Sequence, residues 1–206
     1  LSFLSSMGVI RFWRTALTLL LGITFFTSGM AKLYYNHLFW GWIGPVWLAE
    51  RLQPFQLGLY VAFIAASQLV TGFLLLTRRF WLLGAVLLVP MLANILLVTI
   101  SLQWPGTPYI VAVLLLMNLA LLFSEHQRLR VLWSRAAYVP ASAGPARTVT
   151  GHVVWVAGLL LSVSAAPISY VLLPLSYWLA IGGVVLACCS FLADSYSPRR
   201  LRATMP

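Results

Sequence analysis

The sequence predicts an all-helical integral membrane protein with six spans and both termini in the cytoplasm. Three observations carry that expectation. Of the 206 residues, 62% are hydrophobic and 8% charged, with a mean hydropathy of +0.95, whereas a soluble chain carries about 25% charged residues. Apolar runs long enough to cross a bilayer, about 20 residues each, recur along the chain. The charge is also one-sided: 13 basic residues, all arginine except Lys32, face only Glu50, Glu125 and Asp194.

The first apolar run covers residues 12–34 behind Arg11 and Arg14, and it is too long for a signal peptide, so it is expected to be a retained anchor. Residues 35–57 carry His37, Trp40, Trp42, Trp47, Glu50 and Arg51 with Gly41, Gly44 and Pro45 among them. That density of tryptophan fits an interfacial belt and a short helix lying on the membrane rather than a span. The second and third spans, at 58–77 and 80–101, are separated only by Arg78 and Arg79, which predicts a tight antiparallel hairpin. A Trp-Pro-Gly-Thr-Pro turn then leads into a fourth span at 109–123. Residues 124–150 are polar and basic and contain the linker, and two more runs follow at 152–166 and 174–193. The expected organisation is a four-helix unit at 1–133, a basic cytoplasmic linker at 134–150, and a C-terminal transmembrane hairpin with a basic tail at 151–206.

Six spans put Arg11, Arg14, Arg78, Arg79, Arg128, Arg130, Arg135, Arg147, Arg199, Arg200 and Arg202 on one side, leaving Lys32 and Arg51 on the other. This distribution satisfies the positive-inside rule, whereas five spans would send the basic tail outside. Because the arginines flank apolar runs, the net charge of +10 points to anionic lipid and topology rather than nucleic acid. Cys188 and Cys189 are neighbours inside an apolar run and are read as free thiols. The sequence contains no Cys-x-x-Cys, phosphate loop, nucleophile elbow or His-Glu-x-x-His motif, and His37, His126 and His152 lack metal-ligand spacing. No metal and no catalytic activity of its own are therefore expected.

Polar groups at membrane depth are costly unless paired. Gln68, Asn94 and Asn118 fall near the middles of the second, third and fourth spans. Either they meet with Lys32 as a candidate ligand-binding site for a quinone, lipid or other isoprenoid, or they are hydrogen-bonding glue between helices. Lys32, His37, Glu50 and Arg51 form an outer-mouth polar cluster, in which Lys32 either snorkels to the interface or pairs with Glu50. In the last hairpin, Gly158, Ser162 and Ala166 repeat at four-residue spacing, as do Gly183 and Ala187. Such ridges pack against the first four helices or dock a partner subunit.

Arg14, Leu21-Gly22, Phe25-Phe26 and Ser28-Gly29-Met30-Ala31-Lys32-Leu33 are followed by Gly72 and a Thr77-Arg78 turn, then by Met91 and Ala93. Over residues 11–123 this pattern resembles the DoxX family of small bacterial membrane proteins. The resemblance implies a DoxX-like four-helix bundle in the bacterial cytoplasmic (inner) membrane. It also implies association with membrane redox systems, including thiosulfate-to-quinone electron transfer in some relatives. The family's second helix commonly carries a glutamate before the glycine. Gln68 stands there in this chain, and an amide cannot shuttle a proton. The expected function is that of an auxiliary or structural subunit of a larger membrane complex tied to electron transfer or quinone chemistry, with membrane lipids and other subunits as partners. The alternative is a small transporter or lipid- or isoprenoid-binding protein acting alone.

Overall fold

The computed structural model describes residues 2–42, 48–129 and 147–195. Trp47, Arg130, Arg135, Arg199, Arg200 and Arg202, and with them most of the predicted linker and the basic tail, lie outside the described residues. Every regular element among the described residues is helical. The order is α1 (Ser2–Leu33), a short 3-10 turn (Tyr35–His37), α2 (Leu48–Leu52), a second 3-10 turn (Gln53–Phe55), α3 (Gly58–Leu76), α4 (Trp81–Ser101), α5 (Thr107–Phe123), α6 (His126–Leu129), α7 (Val149–Ile168) and α8 (Leu173–Ser195). Five helices are long and apolar enough to cross a membrane: Gly8–Leu33 within α1, then α3, α4, α7 and α8. The 17-residue α5 is apolar but shorter. In such surroundings a helix is the natural solution, because it satisfies every backbone N–H and C=O within its own segment.

The helix ends follow local chemistry. Between α3 and α4 the Arg78 backbone takes the left-handed conformation, φ 58°, and its N–H donates to the Leu75 carbonyl at 3.1 Å, which makes the tight turn. Between α4 and α5, Gly106 supplies φ 79°. Pro108 sits in the first turn of α5, where a missing N–H costs nothing. α1 begins ten residues earlier than the apolar run suggests, because a helix once nucleated propagates through the weakly apolar residues before it.

The described residues form two compact units. In the first, α1 packs on α3, α3 on α4, α4 on α5, and α5 returns to α1, closing a four-helix ring around Leu21, Phe25, Ile64, Leu75, Leu88 and Leu121. The α1–α3 crossing is close because Gly29 and Gly72 let backbone meet backbone. A Cβ at Gly72 would run into the Phe26 backbone, and one at Gly29 into the Leu69 backbone. One end of this unit is basic. Glu125, buried just beyond α5, accepts from Arg14 of α1 and from Arg128 Nε at 2.9 Å. The Arg14 guanidinium also lies 5.6 Å over the Trp81 ring, at the start of α4.

The second unit is the α7–α8 hairpin together with Tyr34–Phe39, a segment that the sequence division had left with the four-helix unit. Its attachment is specific. Tyr35 N–H donates to Ser169 Oγ at 3.0 Å, Tyr177 hydroxyl donates to the Leu38 carbonyl at 2.8 Å, and the Phe39 and Tyr177 rings stack. The hairpin is closed at its open end by Asp194, which accepts from Thr148 N–H at 2.8 Å and Thr148 Oγ1 at 2.9 Å. The small-residue ridges pack against each other within the hairpin. A Cβ at Gly158 would lie 2.5 Å from the Gly183 carbonyl, and Ser162 Oγ donates to the Ala180 carbonyl at 3.0 Å.

Candidate functional site

Lys32 lies one residue from the end of α1, where a lysine ordinarily reaches outward to water. Here it turns inward. Helical side chains lean toward the N-terminus, so the Lys32 stem runs back one turn. Nζ donates to Ser28 Oγ at 2.7 Å, to the Ser28 carbonyl at 3.1 Å and to Gln68 Oε1 at 3.1 Å. Ser28 Oγ lies 3.3 Å from the same Gln68 oxygen. Gln68 stands ten residues into α3, roughly 15 Å from its first residue, so the amine is held at membrane depth by neutral acceptors alone. Its partners are Ser28 and Gln68 rather than the expected Glu50, because the inward rotamer reaches α3 and not the exposed α2.

These groups line a cavity of about 120 Å³ inside the four-helix unit, walled by Ile64, Leu92, Ile95, Val111 and Leu114 and bordered by Trp104 of the α4–α5 turn. It occupies the half of the bundle away from the basic end. Thr24, one turn below Ser28, also lines it. Its side chain is 1% exposed, and its Oγ1 has no hydrogen-bond partner among the described residues. A hydroxyl buried without a partner costs on the order of 1–3 kcal/mol. The Gln68 carbonyl oxygen is taken by Ser28 and Lys32, so its NH₂ is the part of the amide left to donate. The cavity therefore offers a hydroxyl and an amide N–H₂ on one wall, beside an ammonium whose three N–H groups are already donated to Ser28 and Gln68, with mostly apolar side chains on the others. That arrangement holds one hydrogen-bond-accepting oxygen on an otherwise apolar molecule.

The other predicted site residues are placed elsewhere. Asn94 is exposed and accepts from Tyr60 hydroxyl at 3.1 Å, beside an open groove between α3 and α4 that Phe63 and Met91 also line. Asn118 is fully buried, and its Nδ2 donates to the Ala85 carbonyl of α4 at 2.8 Å while Oδ1 has no partner among the described residues. Of the three amides, only Gln68 joins Lys32. Asn118 meets α4 at Ala85, nine residues or roughly 13 Å along that helix from Asn94, so depth as well as helix rotation keeps the amides apart. His37, Glu50 and Arg51 are exposed and do not line the cavity. Sequence reasoning passed over Ser28 and Thr24. Their signal was their place one and two turns before Lys32 on the same helix face.

Asn118 is interhelical glue by this geometry. Asn118→Leu is expected to change thermal stability by less than about 1 kcal/mol, because the lost hydrogen bond is offset by removal of an orphaned carbonyl. A thermal midpoint measured in detergent checks it, and ligand retention should not change.

Among the described residues, no group of three or more His, Cys, Asp or Glu side chains comes together to hold a metal. No family model, no curated protein and no solved structure matches the chain.

Proposed function

We propose that this chain is a multi-pass, DoxX-like membrane protein that binds an isoprenoid quinone, acting as an auxiliary subunit of a larger electron-transfer assembly in the bacterial cytoplasmic membrane. The observation that carries the reading is the cavity at Lys32. A buried amine and an unpartnered hydroxyl face a space of about 120 Å³, close to the ~150 Å³ cavity that takes a benzene ring. A quinone carbonyl accepts from Thr24 or the Gln68 amide, or from Lys32 in exchange for one of its bonds to Ser28 or Gln68, and its ring and tail lie against Ile64, Leu92 and Leu114. With Gln68 where the resembled family has a glutamate, the site binds and orients a carbonyl and Lys32 is the one ionisable side chain lining it, which favours an auxiliary role over turnover by this chain alone.

Six spans with both termini cytoplasmic are part of the same reading. Arg14, twelve residues into α1, Trp81 at the start of α4 and Glu125 after α5 come together at one end of the four-helix unit. That supports α5 as a full crossing despite its 17 residues, since about 17 is the lower limit for a span. The arginines at that end then obey the positive-inside rule.

Purification of the full chain in mild detergent, followed by mass spectrometry of both proteins and small molecules, tests the proposal. Wild type is expected to carry quinone and further subunits, with quinone falling about tenfold in Gln68→Leu, as the loss of one or two hydrogen bonds to a buried carbonyl predicts. Equal quinone in the two preparations, or a monodisperse monomer that turns over alone, overturns it. Retention of a different isoprenoid or a lipid at the same site would favour the stand-alone binding protein or transporter.

A further inference from the structure

The basic end of the four-helix unit holds a second cavity, of about 350 Å³, lined among others by Arg11, Arg14, Arg78, Arg128, Trp81 and Thr15. These arginines arrive from three separate places: the N-terminal half of α1, the α3–α4 turn and the short helix after α5. Positive-inside topology explains why they share one end of the molecule, but not why they converge on one concavity. Four guanidinium groups face a single carboxylate, Glu125, which Arg14 and Arg128 already share. Arg11 and Arg78 have no ion-pair partner among the described residues. The cavity is also partly pre-ordered, because Arg14 is held between Glu125 and the Trp81 ring. An anion entering it relieves repulsion among the arginines without first having to order Arg14.

We infer that this cavity binds a phosphate group. Its planar guanidinium forks match phosphate oxygens in pairs, and the Thr15 hydroxyl adds a neutral donor. Two sources share that chemistry, the headgroup phosphodiester of an anionic phospholipid and a free phosphate. Phe12 and Trp13, 69% and 60% exposed, flank Arg11 and Arg14 on α1 and give an acyl chain an apolar surface beside the basic pocket. This inference does not rest on the quinone reading, since the two cavities share no lining residue.

The test uses the full chain in detergent, with phosphatidylglycerol, phosphatidylcholine and inorganic phosphate as probes. Native mass spectrometry counts retained lipid, and the thermal midpoint of lipid-stripped protein reports free phosphate. Wild type should retain phosphatidylglycerol over phosphatidylcholine. The Arg11→Gln/Arg78→Gln variant should lose that preference by about an order of magnitude, as removal of two basic contacts predicts. Arg11→Lys/Arg78→Lys keeps the charge and should keep most of the preference, which separates binding from misfolding. If millimolar inorganic phosphate stabilises the stripped protein and displaces the lipid, the source includes free phosphate. If only phosphatidylglycerol acts, the source is the headgroup. The inference is overturned if the Gln variant retains phosphatidylglycerol as wild type does, or if wild type prefers neither lipid and does not respond to phosphate.

Discussion

Gly72→Leu is expected to abolish the folded four-helix unit. The α1–α3 crossing is the most intimate contact in that unit, and a side chain at residue 72 has nowhere to go, because the atoms it meets belong to the Phe25 and Phe26 backbone rather than to a movable side chain. Overpacking ordinarily costs about 1–3 kcal/mol. Here α1 and α3 must move apart as rigid bodies, which also strips contacts from Phe26, Phe73 and Leu69, so the cost should reach the upper end of that range or exceed it. Separating α1 from α3 would also break the Lys32–Gln68 contact. Gly182→Leu is the control. It is the same exchange in the middle of α8, where a Cβ meets nothing within 4 Å, and it should be neutral or stabilising by up to about 1 kcal/mol through helix propensity. Size-exclusion profiles and thermal midpoints in detergent compare them. A Gly72→Leu protein that elutes and melts like wild type would show that the crossing is looser than described.

Lys32→Met is expected to make the ligand-free protein more stable and at the same time unable to hold its ligand. A lysine at membrane depth is unfavourable by about 2.5–3.5 kcal/mol on insertion scales. Three hydrogen bonds to Ser28 and Gln68 offset part of this, but no counter-charge does. Methionine has a similar length and an apolar tip, and Ser28 can still bond Gln68. A gain on the order of 1 kcal/mol follows, equivalent to a rise of about 2–4 °C in the thermal midpoint of a chain this size. The comparison needs ligand-stripped protein, since a bound ligand stabilises wild type by mass action. A fall in the midpoint with unchanged quinone content would instead make Lys32 a structural anchor. A rise in stability combined with loss of ligand is the pattern expected of a residue kept for binding at a cost to the fold.

What the sequence determined by itself was the class of structure and the placing of its long helices. Hydropathy is a local, additive property: the apolar runs at α3, α4, α7 and α8 mark themselves, and a turn such as Arg78-Arg79 can be read from neighbours alone. The sequence also singled out Lys32 and Gln68, because ionisable and amide groups stand out against a hydrocarbon background. Who meets whom was decided only by the tertiary structure. These helices are apolar around their whole circumference, so they carry no amphipathic stripe to say which face turns inward. Gln68, Asn94 and Asn118 all fall near mid-span in the sequence, yet helix rotation and offset send one to Lys32, one to Tyr60 and one to the Ala85 carbonyl. In the same way the Gly158 and Gly183 ridges announced a close contact, but only the fold shows that each is the other's partner. The orphaned Thr24 hydroxyl, an unremarkable threonine in sequence, becomes informative once three other helices have closed around it and left one side open to a cavity.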